Sequence, residues 1–360
     1  MNRLLMVAYH FPPLAGSSGI QRALRFAQHL PALRWQPTVL TVTPNAYTQT
    51  SDDLLSELPS NLHVARAWAF DTSRHLSLLG KYPGWLERPD RWISWMAAAI
   101  PAGLGIIKRE RPAAIWSTYP IPTAHLIANA LSQISGLPWV ADFRDPMAHL
   151  GYPQDPDLWQ SYLRTEQKVF RQARCMIFAT PGAANLYRAR YPNCASTIHL
   201  IENGYDEEAF LTAEQQARAV PLNPGTLTLL HSGIVYPEWR NPTALFTALQ
   251  QLLAGGMLAR KDLRLRFRAP VHDAWLAKLA QSHGLEDMVE ILPAVSYTAA
   301  LSEMLDADAL LVLQSHDCND QIPAKVYEYL RAGKPILGLA DPQGDTAAVL
   351  RSAGMGPVCA

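Results

Sequence analysis

The chain of 360 residues has no C-x-x-C pair. Its four cysteines, Cys175, Cys194, Cys318 and Cys359, stand far apart. That excludes the usual structural zinc and dithiol motifs and leaves free thiols as the expectation. Net charge is also lacking, with 31 basic residues offsetting 31 acidic ones, so no nucleic-acid partner is expected. No long apolar run is present. "WISWMAAAIPAGLGII" at 92–107 falls short of the roughly 20 residues of a membrane span, and Pro101 and two glycines interrupt it. Arg88, Arg91, Lys108, Arg109 and Arg111 flank it. Two readings stand: a buried helix with a solvated basic end, or a peripheral contact of segment 88–111 with an anionic membrane surface. The opening "LLMVAYHF" is short, and prolines follow where a signal-peptide cleavage site would stand. A cytoplasmic protein is expected, with segment 88–111 as its contact with the inner face of the cell membrane. H-E-x-x-H, G-x-S-x-G, a Walker A loop and G-x-G-x-x-G are all missing. No metal site is expected either: Asp142 and Asp145 in "DFRDPM" supply too few oxygens.

What the chain does have is alternation. Short apolar runs at 4–10, 37–43, 62–69, 113–119, 139–144, 175–180 and 197–202 read as strands, separated by helix-period segments. Over 20–30, Ile20, Ala23, Leu24, Ala27 and Leu30 make one apolar face, with Arg22, Arg25 and Gln28 off it. "LTAEQQARAVPLNPGT" at 211–226 has no strand pattern and carries turn residues, so it reads as a linker. Strand runs restart at 227–233, 263–269, 289–294, 309–314 and 335–340. This predicts an α/β protein of two Rossmann-like, doubly wound parallel-sheet domains, 1–210 and 227–360, facing a cleft at their carboxyl strand ends.

Candidate site residues cluster at those predicted strand ends. In "YHFPPLAGSSGIQR", Gly16, Ser17 and Gly19 lead into a helix and let backbone N–H groups approach an anion; the plain alternative is a turn with Ser18 as N-cap. In "DFRDPM", Asp142, Arg144 and Asp145 end a strand, either as a cleft group or as a structural pairing of Arg144 with one aspartate. Asn203-Gly204 reads as a tight turn, either purely structural or with its backbone facing the cleft. His125, on the helix after the fourth strand, is either a cleft residue or a satisfied structural histidine. In the second domain Gly233 ends a strand, and Arg240 precedes a helix, placed to fork onto phosphate oxygens or to make a surface salt bridge. In "IPAKVYEYLRAGKPIL", Pro323 costs no hydrogen bond at a helix start. The N–H groups of Ala324 and Lys325 then point into the cleft with the helix dipole behind them. Lys325 adds charge, and Glu328, a turn later, suits a neutral ribose diol.

These stretches, with "GLPWVADFRDP", "IENGYDEEAF" and "HSGIVYPEWRNP", resemble the retaining glycosyltransferases of family 4, which have the GT-B fold. The resemblance implies a nucleoside-diphosphate-sugar donor and a glycan, lipid-linked or small-molecule acceptor. It also implies a role in cell-surface polysaccharide synthesis and no metal or other cofactor. It assigns Arg240 to the diphosphate and Glu328 to the donor ribose. Asp320 stands where the family has a second glutamate. The basic pair usual early in the second domain is reduced to Arg240, with Lys325 as the substitute. The family also continues past the point where this chain ends at "GPVCA", so a shortened second domain is expected. A sugar-nucleotide epimerase of the same fold and an inactive nucleotide-sugar-binding partner are the alternatives.

Overall fold

The structure, a computed structural model, describes residues 1–17, 19–77, 81–149, 151–216 and 220–359. Ser18, the candidate N-cap, and residues 217–219 of the expected linker lie outside the described residues. The chain divides into two units, Met1–Glu202 and Asn203–Ala360.

In the first unit β1 (Asn2–Val7) is followed by α1 (Gly19–His29), β2 (Trp35–Val42), β3 (His63–Ala67), α2 (Thr72–His75) and α3 (Trp95–Glu110). Then come β4 (Ala114–Thr118), α4 (Pro122–Ser135), β5 (Trp139–Arg144), α5 (Pro156–Gln172), β6 (Cys175–Phe178), α6 (Pro181–Arg190) and β7 (Ile198–Leu200). The strands form one parallel sheet ordered β3-β2-β1-β4-β5-β6-β7. The second unit runs α7 (Glu207–Gln216), β8 (Leu227–Ser232), α8 (Thr243–Ala254), β9 (Leu263–Arg268), α9 (Asp273–Ser282) and β10 (Val289–Leu292). It continues with α10 (Tyr297–Asp306), β11 (Ala309–Leu313), α11 (Lys325–Ala332), β12 (Ile336–Leu339), α12 (Asp345–Ser352) and β13 (Val358–Cys359). Its parallel sheet is ordered β10-β9-β8-β11-β12-β13. Both are doubly wound, and apolar residues on the two faces of each sheet enter separate cores. In such sheets the order reverses between the first strand and its fourth-strand neighbour, here β1/β4 and β8/β11, and the loops there diverge to leave room for a ligand.

The expected alternation is therefore present, with β1 and β2 starting two residues earlier than expected, β5 coinciding, most other strands ending one or two residues short, and β13 added. Other expectations need correction. The segment read as a linker begins as helix: α7 buries Phe210 and Ala213 in the second unit's core, and Arg331 pairs with Glu207 at 2.7 Å and Glu214 at 2.9 Å. Its apolar residues bunch at Ala209, Phe210, Leu211 and Ala213, and the exposed Leu211 blurs the buried face; residues 203–210 belong with the second unit. Arg22 is not off the buried face of α1; it lies buried on it. Segment 92–107 forms most of α3, which buries Trp95, Ala99, Gly103 and Ile106, so one side is occupied by the core, while Ala97, Pro101 and the basic end are exposed. Among the described residues no helix is long and apolar enough to cross a membrane.

His125 is not a cleft residue. It is fully buried, its Nδ1 shares a 2.7 Å hydrogen bond with the Ser117 hydroxyl, and its ring packs near Phe143 and Trp139. The strand-to-helix return of a doubly wound fold carries the first turns of α4 across the sheet face, and His125 faces that sheet. Burial pushes its pKa down from 6.5 to about 4, with Asp142 opposing. The unfolded chain therefore takes up a proton below pH 6.5 that the folded chain refuses until about pH 4. Stability from this group is present above pH 6.5 and lost on acidification across that window, by about 3 kcal/mol in all. His125→Phe is expected to keep the ring packing and to flatten the decline in stability between pH 6.5 and pH 4.5, read by urea denaturation across that range. A decline as steep as in the unsubstituted protein would remove His125 as the acid-sensitive group.

Candidate functional site

The second unit gathers charge at the ends of β8 and β11. Its sheet places His231 at the end of β8, where the ring is fully buried. His231 Nδ1 lies 2.9 Å from the Leu311 carbonyl, so that nitrogen carries the proton and donates. Nε2 is left with a lone pair, and Lys325 Nζ donates to it at 3.0 Å. Burial, with Lys325 and Arg240 adding to it, holds His231 well below its usual pKa and therefore neutral. Chain direction changes next, at Gly233, whose φ is 116°. A Cβ there would stand 2.9 Å from Lys325 Nζ. Glycine suits the backbone angle, and the side chain it lacks leaves the space that the lysine end fills. Arg240 reaches back to the same turn, its Nη1 donating to the Ile234 carbonyl at 3.1 Å, with its guanidinium 5.4 Å from the Tyr236 ring centre.

α11 starts at Lys325 with Ala324 as its N-cap and ends at Gly333. Glu328, one turn in, accepts from the Tyr297 hydroxyl at 2.9 Å. Burial raises the Glu328 pKa, and Tyr297 and Lys325 oppose the rise. Burial and then Arg240 depress Lys325, with Glu328 opposing. Both residues keep some exposed surface; it is their charged ends that sit in a poorly solvated setting. The loop before α11, which carries Asp320, is tied down by Ser315 N–H to the Trp239 carbonyl at 2.8 Å and by Asn319 to Asp341 at 2.7 Å. The structure thus brings together Gly233, Arg240, Lys325 and Glu328, with Ala324 at the helix start. His231 and Tyr297 were missed. The histidine in "LLHSG" was the available signal, but nothing local marks it as a partner for a lysine 94 positions on.

The first unit has its own cluster, at the ends of β1 and β5. Ser17 Oγ lies 2.9 Å from His10 Nδ1 and accepts from the Gly19 N–H at 3.2 Å. Burial, and then Arg144, push His10 down to about pKa 3, so this ring is neutral. A Cβ on Gly19 would stand 2.5 Å from His10 Nδ1 and 2.9 Å from Arg144 Nη1, which explains the glycine at the start of α1. Gly16 sits in the left-handed region at φ 75° on the exposed rim of this loop.

Asp142 does not pair with Arg144. It is fully buried and takes both prongs of Arg22, at 2.9 and 3.0 Å, plus the Thr118 hydroxyl at 3.0 Å. Arg22 also donates to the carbonyls of Ile201 and Glu202. One fork thus fastens α1, β5 and the end of the unit, and Asp142 is structural rather than a cleft group. Register shifts at Asp142/Arg144 where β5 meets β6, and the bulge turns Arg144 toward α1 instead. Asp145 is half-buried, and burial raises its carboxyl pKa against the pull of Arg144. Asn203 is the first residue of the second unit and follows β7, so it does not join this cluster through the first unit's sheet. Among the described residues no group of three or more His, Cys, Asp and Glu side chains converges as a metal-ligand set.

The Arg22–Asp142 pair generates a stability prediction. Removing one partner leaves an uncompensated buried charge, which costs about 3–5 kcal/mol. Asp142→Ala is expected to lose that much in chemical denaturation. Arg22→Met combined with Asp142→Leu is expected to lose clearly less than Asp142→Ala alone, because no charge is then stranded. Equal losses would mean the pair is solvated in solution.

A model of the glycosyl transferase 4-like domain matches residues 18–204, more than half of the chain. No curated protein sequence matches. Solved structures share the fold at low identity. Sucrose-phosphate synthase from Thermosynechococcus elongatus has a TM-score of 0.64 and 15% identity over 96% of this chain and 82% of that one. WaaG, a glycosyltransferase involved in lipopolysaccharide biosynthesis, has a TM-score of 0.64 and 13% identity over 99% and 85%. Anabaena Alr3699/HepE in complex with UDP-glucose has a TM-score of 0.62 and 15% identity over 97% and 83%. With its two parallel-sheet units and strand-end clusters, the chain belongs to the glycosyl transferase 4-like family and is a glycosyltransferase of GT-B fold.

Proposed function

We propose that this enzyme moves a sugar, with retention, from a nucleoside-diphosphate sugar to a glycan, lipid-linked or small-molecule acceptor in cell-surface polysaccharide synthesis. The observation that carries the reading is the meeting of Arg240 and Lys325 at the Gly233 turn. Two cations held side by side, one against a neutral histidine, repel each other unless an anion sits between them. A diphosphate has the charge and the spacing of oxygens to do so. Glu328 lies on the same helix as Lys325 and suits the donor ribose, whose hydroxyls donate to a carboxylate. Asp320, in the tethered loop before α11, is assigned to the donor sugar. The expected donor role of Gly16, Ser17 and Gly19 is not carried into this reading, because Ser17 and Gly19 belong to the first unit's own cluster with His10 and Arg144. The UDP-glucose bound to the HepE relative supports a nucleotide sugar as the donor class, and WaaG's part in lipopolysaccharide biosynthesis supports a surface-glycan setting.

In the proposed reaction the bond from the anomeric carbon to the diphosphate oxygen breaks. The acceptor oxygen bonds to that carbon from the same face, and the acceptor's proton passes to the leaving phosphate oxygen. Charge then grows on the diphosphate, and Arg240, Lys325 and the α11 N-terminus stabilise it. No step is assigned to a metal ion. The reading places the enzyme in the cytoplasm, with exposed Lys108, Arg109 and Arg111 available to the inner membrane face.

Glu328 contacts a part of the donor that does not react, so its contribution is equal in ground and transition states. Glu328→Ala is expected to weaken UDP binding about 10- to 100-fold, the worth of a hydrogen bond to a charged group, while saturated turnover changes little. Calorimetric titration with UDP and steady-state kinetics check the two halves; a collapsed turnover number with unchanged UDP affinity would overturn the ribose assignment. Arg240→Ala and Lys325→Ala are each expected to lower turnover on the order of 10²–10³-fold. Because both act on one anion, the double variant should fall far short of the product of the single losses. Fully multiplicative losses would mean that the two residues serve different groups.

A further inference from the structure

We propose that Arg144 forms a second oxyanion site, in the first unit, that takes a phosphate or carboxylate group carried by the acceptor. Naming the acceptor as its source rests on the reading above, in which the second unit holds the donor diphosphate.

Backbone geometry is the first argument. The Asp145 N–H donates to the Phe143 carbonyl at 2.7 Å, closing a three-residue turn with Arg144 at its centre and φ at 63°. That turn is strained for any residue with a Cβ and easy for glycine. An arginine here has to be retained for its side chain.

Charge is the second. Arg144 is only 8% exposed. Four other shielded arginines have carboxylates: Arg22 has Asp142, Arg190 has Glu166, and Arg266 and Arg268 share Glu303; Arg240, at the proposed diphosphate site, bonds a backbone carbonyl instead. Among the described residues no carboxylate closes on Arg144 as an ion pair. Its Nη1 makes two long bonds, 3.5 Å to the Gly19 carbonyl and 3.4 Å to the Tyr119 carbonyl, and its Nε has no partner. Asp145, from a half-buried position, and then Asp142, which Arg22 already engages, act on it electrostatically without closing on it. Buried polar groups are normally satisfied, and a cation left short of acceptors at a strand end is short of a ligand.

Placement is the third. The guanidinium lies over the start of α1, an eleven-residue helix, where Gly19 leaves room for it and for His10. His10 is neutral, so it competes neither as a cation nor as an anion. Helix terminus and guanidinium together favour an oxyanion. Arg240 and Lys325 already serve one anionic group, so a separate site in the first unit calls for a second one, and the acceptor is the other substrate.

Inorganic phosphate is the probe, titrated calorimetrically into the full chain saturated with UDP. Phosphate is expected to bind the UDP-loaded protein, and Arg144→Gly is expected to weaken that binding at least about tenfold while leaving UDP affinity unchanged. Arg144→Gly relieves the backbone strain, so its Tm should equal or exceed that of the unsubstituted protein. Arg144→Lys keeps the charge without the fork and should retain part of the phosphate affinity. Phosphate that binds only when UDP is absent would assign the site to the donor and overturn the proposal. So would unchanged phosphate binding in Arg144→Gly, or a fall in its Tm, which would make Arg144 a structural pin. Failure of the unsubstituted chain to bind UDP would sink the donor reading instead, and the phosphate titration of Arg144→Gly without UDP would still read this site.

Discussion

A buried cation must find an anion, and in the first unit one pairing decides the rest. Asp142 is claimed by Arg22, which reaches it with both prongs from α1. The same arginine holds the carbonyls that follow β7. This joins the first helix, the inner strand β5 and the end of the sheet through one desolvated fork. It also engages both oxygens of the fully buried carboxylate of "DFRDPM", which then acts on Arg144 only from a distance. The strand then bulges, the backbone turns through a positive φ, and the second arginine of this region is delivered to the mouth of α1 with no carboxylate closing on it as an ion pair among the described residues.

The second unit handles its positive charge differently. Lys325 is packed against a missing side chain, at Gly233, and against a histidine that burial keeps neutral. Neither neighbour cancels its charge. Glu328 is near enough to moderate Lys325 electrostatically but is engaged by Tyr297. Both units therefore hold poorly neutralised cations at the carboxyl ends of a parallel sheet, beside helix N-termini. This is the electrostatic state expected of a protein whose substrates bring negative charge and whose reaction releases more of it.

Much of the fold was legible because the signals are local. A strand buried on both faces reads as a continuous apolar run, and an amphipathic helix as a 3.6-residue period. The strand at 139–144 and the helix that begins near Lys325 were expected where they occur. The failures also have local causes. In α7 the buried Phe210 and Ala213 share a short apolar bunch with the exposed Leu211, which hides the period, and its anchor, Arg331, comes from far along the chain. In α1, Arg22 looked like a solvent residue because a charged side chain normally is one. His125 looked available because a histidine on a helix gives no sign of which way the helix rolls onto its sheet.

By itself, the sequence determined that this is a two-part, doubly wound parallel α/β protein, with its informative residues at strand ends and with Arg240, Lys325 and Glu328 in the second part. Short-range periodicity and turn chemistry carry that much. Only the tertiary structure decided the partnerships: Arg22 with Asp142 across 120 positions, Lys325 with His231 across 94, and Arg144 with no carboxylate among the described residues. The strength of a charge pair depends on separation and on the loss of water around it. Both quantities arise when distant segments pack, and the order of residues along the chain does not contain them.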